Sequence, residues 1–259
     1  MAACNEFAES AQNALRSRFE VWAPDYASIE VHEVVGALVA RQVSLAKVLA
    51  SSPALWSSES ASLVIRPMVE VYITLAWIFE SPVDRSKMFV KHGLGQMKLC
   101  VAHRKAQLAN ANEDERADLE QEIARKEEWI NSQRWEFLTE VNLGNWAKTD
   151  LRKMAEEVGE LDLYNASYTP LSAGVHSMWN HVGVFNLRQC QNPLHRFHKV
   201  PCVRSDSGDF QVLLVAGAHL DRTFHLFDRK TGTKCSEPSP LHNLAARLSK
   251  LVSPEGENS

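Results

Sequence analysis

Apolar positions recur along this chain at helical spacing, and polar punctuation separates the runs. Phe7, Ala11, Leu15 and Phe19 fall at intervals of four, which predicts an amphipathic helix over 5–20. Val31, Val34, Val35, Leu38, Val39, Val43 and Leu45 predict a second helix over 28–50, with Ser28 as its cap and Glu30 and Glu33 in its early turns. A third runs from about Ser58 to Glu80 and stops before Ser81-Pro82. Pro67 lies inside it, so a kink near Arg66 or a helix start there is expected.

A helix over 83–107 follows, with an interruption expected at the HGLG of residues 92–95. Residues 112–137 alternate in charge, with Leu119, Ile123, Trp129 and Ile130 as apolar marks, and read as a solvent-facing hairpin arm. A short helix over 149–158 ends at Gly159. Thr169 as N-cap, Pro170 at the first helical position and Gly183 at the end define a further helix. Residues 186–209 read as an ordered polar loop, 210–227 and 240–252 as the last helices, and 253–259 as a disordered tail. Strand alternation, internal repeats and low-complexity tracts are lacking. The expectation is an all-α fold: one bundle-like domain over 1–252 of about seven to nine helices, with its core at 28–200 and a C-terminal helical extension over 205–252.

Composition refines this outline. The 259 residues are 45% hydrophobic and include seven tryptophans, enough to bury a sizeable core, and no linker-like stretch divides them. A net charge of −4 and a pI of about 6.2 provide no overall basic field. Five scattered cysteines, an odd number, fit a reducing compartment. The opening MAACNEFAES lacks a basic region ahead of an apolar core, so no signal peptide is expected. The longest uncharged apolar run, Val71 to Phe79, is about half of the ~20 residues a spanning helix needs. The expected location is therefore the cytoplasm, with no membrane partner.

Two polar intrusions on otherwise apolar helices mark candidate chemistry. In VIRPMVEVYITLAWIF, Arg66 and Glu70 are i, i+4 neighbours on a helix apolar on its other faces, so a buried pair is expected. Desolvating two ions costs several kcal/mol, which makes such a pair weak evidence for stability. Ser172, His176 and Asn180 share a second polar stripe, opposite Leu171, Val175, Met178 and Trp179. Buried polar groups require partners, so Arg66, Glu70, Ser172 and His176 are expected to face one another. They then either line a pocket or form a polar network that locks helix packing.

Cys190, His195, His198 and Cys202 lie within 13 residues and could ligate zinc, although the spacing is atypical of a finger. The plainer expectation is a basic, His-rich loop with Arg188, Arg196 and Lys199 that touches phosphate, and no metal is assigned to it. Nucleotide-binding loops, H-E-x-x-H, G-x-S-x-G and CxxC are all missing, so no cofactor is expected. Trp129, Trp135 and Trp146 are spaced for helix packing rather than base stacking.

R-P-M-V-E-V-Y-I at 66–73, H-G-L-G-Q-M-K at 92–98 and Y-x3-S-x3-H at 168–176 resemble a largely uncharacterised bacterial group, domain-of-unknown-function family 5677, over about residues 30–200. That resemblance implies a signature of Arg66, Glu70, Ser172 and His176, preceded by Tyr168. Pro67 departs from the small residue the pattern implies after the arginine.

Such proteins look similar in turn to HEPN domains, many of which are metal-independent ribonucleases of toxin and defence systems that carry R-x4-6-H. Arg85 to His92 and Arg188 to His195 match that string, and chance alone supplies matches in a chain this rich in both residues. The likeness implies a homodimeric, RNA-directed effector. His176 would transfer protons, Arg66 would stabilise phosphate charge and Glu70 would orient the arginine. Ser172 and Tyr168 would supply hydrogen bonds, and Tyr168, Arg188, His195 and Arg196 would hold substrate. The alternative is a non-catalytic module that binds a ligand or a protein, with the same network serving structure.

Overall fold

A helix apolar on nearly every face is stable only with other helices around it, and residues 62–80 form one. The structure, a computed structural model, describes residues 2–133, 146–203, 208–234 and 239–252. Its long helices are α1 (Ala2–Val21), α2 (Ile29–Ser51), α3 (Ser62–Glu80), α4 (Pro82–Leu108) and α5 (Glu113–Asn131). Short helices α6 (Leu151–Glu157) and α7 (Leu161–Leu163) lead into a π-helical turn (Tyr164–Tyr168), then α8 (Thr169–Val175) and α9 (Trp179–Phe185). Strands β1 (Leu187–Gln189) and β2 (Lys199–Pro201) precede α10 (Gln211–Thr231) and α11 (Pro240–Val252). The fold class is all-α, as expected.

The chain groups into two compact units. The first comprises residues 1–23, 36–77 and 155–259, and the second 24–35 and 78–154. In the first unit, Phe7, Leu49, Met68, Ile73, Leu75, Leu213, Leu220, Phe227 and Leu244 are fully buried. Phe227 on α10 packs against Phe19 and Trp22, with ring centroids 5.3 and 5.1 Å apart. Beside them Arg18 of α1 grips Asp228 of α10 through two bonds of 2.8 and 2.7 Å, the fork geometry that carboxylates accept best. Gln42, completely buried on α2, donates to the Met68 carbonyl of α3 at 3.1 Å and to Thr223 Oγ1 of α10 at 2.9 Å. A buried amide with two partners fixes three helices at one point.

In the second unit α4 and α5 form a helical hairpin. Asn112 caps α5 by accepting the Glu115 N–H at 2.9 Å, and Val101, Ile123 and Ile130 make the seam. Arg104 to Glu122 at 3.1 Å and Lys105 to Glu127 at 2.6 Å decorate it. The charged arm thus has a partner, and α5 ends at Asn131 rather than at residue 137. Trp135 and the tail 253–259 lie outside the described residues.

Other expectations change in detail. Pro67 neither starts nor ends α3, which begins at Ser62. The break expected at 92–95 does not occur, since burial of Leu94 and Gly95 carries α4 through glycine's poor helix propensity. Asp25, not Ser28, caps the entry to α2, accepting the Ala27 N–H at 3.0 Å ahead of a short 3-10 turn. Gly159, at φ +74°, does terminate α6, with Glu160 N–H bonded back to the Ala155 carbonyl at 2.7 Å. The polar loop of 186–209 contains a small antiparallel ribbon, with Arg188 opposite Val200. Finally, residues 26–51 and α3 are by length and composition apolar enough to cross a membrane, and 56% and 72% of their most apolar stretches are buried by protein.

Candidate functional site

The two polar intrusions meet. Arg66 reaches from α3 to the π-turn and α8, donating through Nε to Ser172 Oγ at 3.0 Å and through Nη2 to the Tyr168 hydroxyl at 2.5 Å. Its guanidinium also lies over the Tyr168 ring, 4.6 Å from the centroid, and Tyr168 stacks on Tyr164 at 4.9 Å. Ser172 Oγ in turn donates to the Tyr168 carbonyl at 2.8 Å. Burial, and then the nearby Glu70 charge, push the Tyr168 hydroxyl above its ordinary pKa, so it holds its proton.

Glu70 departs from the expected buried pair. Its carboxylate sits 3.6 Å from Arg66 Nη1 but is 47% exposed, against 17% for Arg66. An ion pair open on one side contributes little, so the uncharged partners, Tyr168 of the π-turn and Ser172 of α8, hold the arginine.

His176 is not part of this node. It is exposed, lies at the C-cap of α8, and has no side-chain bond to Arg66, Glu70 or Ser172 among the described residues. A single helix from Thr169 to Gly183 would have kept residues 172, 176 and 180 on one stripe; the actual helix starts at Leu161 and breaks after Val175. Ser177 takes the left-handed conformation at φ +50°, and the N–H groups of Met178 and Ser177 return to the carbonyls of Ala173 (2.9 Å) and Gly174 (3.3 Å). Glycine usually fills that helix-ending position, so a serine there hid the stop.

The N-terminal side was equally disguised. Pro170 cannot donate back into a helix and crowds the carbonyl four residues earlier, which made it look like a helix start. Instead, Tyr164–Tyr168 widens into a π-turn, and the Thr169 N–H bonds to the Tyr164 carbonyl.

Gly174 explains how α8 comes so near α3. A methyl group there would fall within van der Waals contact of Ser62 Oγ and stand 3.0 Å from His181 Cε1. Ser62 is buried, and its Cβ, which no side-chain rotation moves, would also stand 3.0 Å from that methyl group. Gly174→Ala is expected to lower unfolding free energy by about 2 kcal/mol, as overpacking does; a urea-denaturation series in which the variant matched the parent would refute the close approach.

A second polar layer ties α3 to the chain before the π-turn. Tyr72 donates to Glu160 at 2.5 Å, Trp77 Nε1 to Glu157 at 2.6 Å, and Arg222 approaches Glu160 at 3.6 Å. Burial raises the Tyr72 pKa strongly, with the Glu160 bond adding to it.

One feature escaped the sequence. Between α3, the π-turn with α8, and the start of α10 lies a cavity of about 330 Å³, whose walls include Ile65, Ala166, Leu171 and Val215, with Ser167, Asp209, Gln211 and His219 as polar points. His219 is only 8% exposed, and burial, with Arg222 adding to it, lowers its pKa to about 4. It therefore faces the cavity as a neutral imidazole at pH 7. The clue was in plain sight: His219, Asp221 and Thr223 interrupt an apolar helix as Arg66 and Glu70 do. A larger trough of about 670 Å³ at the α4–α5 turn is walled by alanines, amides and carboxylates, with Leu119 its main apolar wall.

Of the residues expected to hold substrate, Tyr168 belongs to the Arg66 node and the other three sit on the ribbon. Arg188, His195 and Arg196 are exposed, and no hydrogen bond or ion pair joins them to the Arg66 node among the described residues. Gln189 Nε2 shapes the tip by donating to the Arg196 carbonyl at 2.9 Å. Of the four soft donors, Cys190, His195 and His198 converge and Cys202 does not.

Fold and site together define an all-α protein in which an arginine on one helix clamps a π-turn that walls an apolar cavity. Residues 32–192 match the model described as a family of unknown function (DUF5677), and the chain belongs to that family. No curated protein and no solved structure matches it.

Proposed function

We propose that the protein is a ligand-binding module whose cavity between α3, the π-turn and α10 takes a small, largely apolar molecule. One observation carries this: the Arg66 clamp sets the wall of a cavity of about 330 Å³ that is apolar apart from a few convergent polar groups. That is the form ligand sites take. Asp209 and neutral His219 favour a ligand that carries a hydrogen-bond donor. Proton transfer by His176 with Arg66 in one chain loses support, because Arg66 is held by Tyr168 and Ser172 while His176 stands apart from it. The four described cysteines are free thiols, in keeping with work in the cytoplasm.

The test uses the neutral dye N-phenyl-1-naphthylamine, an apolar amine whose fluorescence rises in dry sites. Wild type is expected to bind one dye per chain, and Val215→Trp, which fills the cavity from a half-exposed position, to weaken binding at least about tenfold, the equivalent of ~1.4 kcal/mol. Equal binding by both proteins would sink the proposal.

An RNA-directed effector of the HEPN type is the second reading. It draws support from the ribbon, where exposed Arg188, Arg196 and Lys199 flank Phe197, which is 89% exposed and suited to stacking. Fragmentation of total RNA by wild type but not by folded His176→Ala would favour it over the cavity.

A further inference from the structure

We infer that Cys190, His195 and His198 form a divalent-cation site of the zinc class on the β1–β2 ribbon, with water at the fourth position. One Cys Sγ and two imidazole nitrogens lie within 4.8 Å of one another, and Cys190 Sγ stands 3.7 Å from His195 Nδ1. A tetrahedral zinc with sulfur at ~2.3 Å and nitrogen at ~2.0 Å holds those two donors about 3.5 Å apart. Closing the third donor onto the ion then takes a movement of about 1 Å, within reach of side-chain rotation at an exposed tip.

The backbone already holds the donors in register. Cys190 N–H bonds to the His198 carbonyl at 3.0 Å, His198 N–H to the His195 carbonyl at 3.0 Å, and His195 N–H to the Asn192 carbonyl at 3.0 Å. Sulfur with two imidazoles is a borderline-soft set, which selects zinc and its neighbours over magnesium or calcium. Cys202 stays out because its N–H extends the ladder to the Asn186 carbonyl, at 2.9 Å, and its thiol lies outside the cluster.

Proton accounting is simple. Asn192 Oδ1 accepts the Leu194 N–H at 3.0 Å, and its amide nitrogen lies 3.3 Å from His195 Nε2, an assignment that puts the ring proton on Nδ1, facing Sγ. On loading, the thiol proton leaves to solvent, the imidazole proton moves from Nδ1 to Nε2, and the Asn192 side chain turns its oxygen to meet it. One proton is released per ion, so affinity falls as pH falls.

The ribbon has a use for such an ion. Its strands have three residues each, and a lone two-stranded hairpin of that size is marginal in water. The tip nonetheless displays Leu194 and Phe197 almost fully exposed. A cation bridging residues 190, 195 and 198 would hold that tip in one shape.

Cobalt is the probe, titrated into the purified full-length protein, with zinc then competing it off. One Co²⁺ per chain is expected, with a thiolate-to-cobalt charge-transfer band and visible bands of tetrahedral strength. Cys190→Ser should abolish the charge-transfer band, and His198→Ala should weaken binding by on the order of 100-fold, at least what losing an outer-shell partner costs. Cys202→Ser should leave the band and the stoichiometry unchanged. A wild-type protein without the band, a band that survives Cys190→Ser, or one that disappears in Cys202→Ser overturns the assignment; far-UV circular dichroism confirms that each variant is folded.

Discussion

Arg66→Ala is expected to lower unfolding free energy by about 3 kcal/mol and to abolish dye binding in the cavity. The guanidinium makes two charge-assisted hydrogen bonds, to Ser172 and to Tyr168, of a kind worth about 1.5–3 kcal/mol each. Its position over the Tyr168 ring adds about 0.5–1 kcal/mol. Water entering the vacated space recovers part of this, because Tyr168 and Ser172 are only partly buried. Ser172 also keeps its bond to the Tyr168 carbonyl. Glu70, half exposed, changes the balance little.

Lysine cannot serve two acceptors in a plane, so Arg66→Lys should recover less than half of the loss. Urea denaturation of Arg66→Ala, Tyr168→Phe and the double variant provides the check. Strong non-additivity is expected, since the two residues share one interaction. Additive losses, or a loss for Arg66→Ala under about 1 kcal/mol, would show that α8 is held by packing alone.

The second large effect concerns acid. His219 has its folded pKa lowered from 6.5 to about 4, burial being the main cause. As pH falls through 6.5 the unfolded chain takes up a proton that the folded chain refuses until about pH 4. The unfolded state then binds more protons, so stability drops across that window, by about 3 kcal/mol in all, and loses nothing further from this group below it. His219→Gln keeps a polar side chain and removes the titration. Between pH 7.5 and 4.5 its urea midpoint should fall less steeply than that of wild type. Parallel slopes would mean that the imidazole is solvated in the folded protein, and with it the cavity.

Much of the fold was legible. Helices α1 to α5, α10 and α11 follow from apolar spacing, because an amphipathic helix buries one stripe whatever its neighbours are. The meeting of Arg66 with Ser172 was legible for a related reason: polar groups on helices that must be covered have to find one another, whereas Tyr168 entered only through the family resemblance. The misses share a cause as well. Ser177 stops α8 with a backbone conformation normally signalled by glycine, and Pro170 mimics a helix start in mid-helix, so His176 was drawn onto a stripe it does not share. Glu70 is exposed because a helix that is apolar around most of its girth can still have an open side, which composition does not reveal. Short strands such as Leu187–Gln189 have too few residues to alternate. The three donors at 190, 195 and 198 were visible because they are close in sequence, while Cys202 is held away by its backbone bond to Asn186.

The π-turn at Tyr164–Tyr168 gives this architecture an angular setting. An α-helix advances about 100° per residue and a π-turn less, so the wide turn takes up one surplus residue without rotating the helix after it. Forcing all five residues of 164–168 into ordinary α-helix, with none removed, would swing Ser172 and Leu171 by about that angle. The serine would leave the arginine and the leucine would leave the cavity wall in the same movement. Clamp and cavity are geared to one another through the helix phase, and a change of helix type with no change of length would disengage both while leaving every side chain of the site in the sequence.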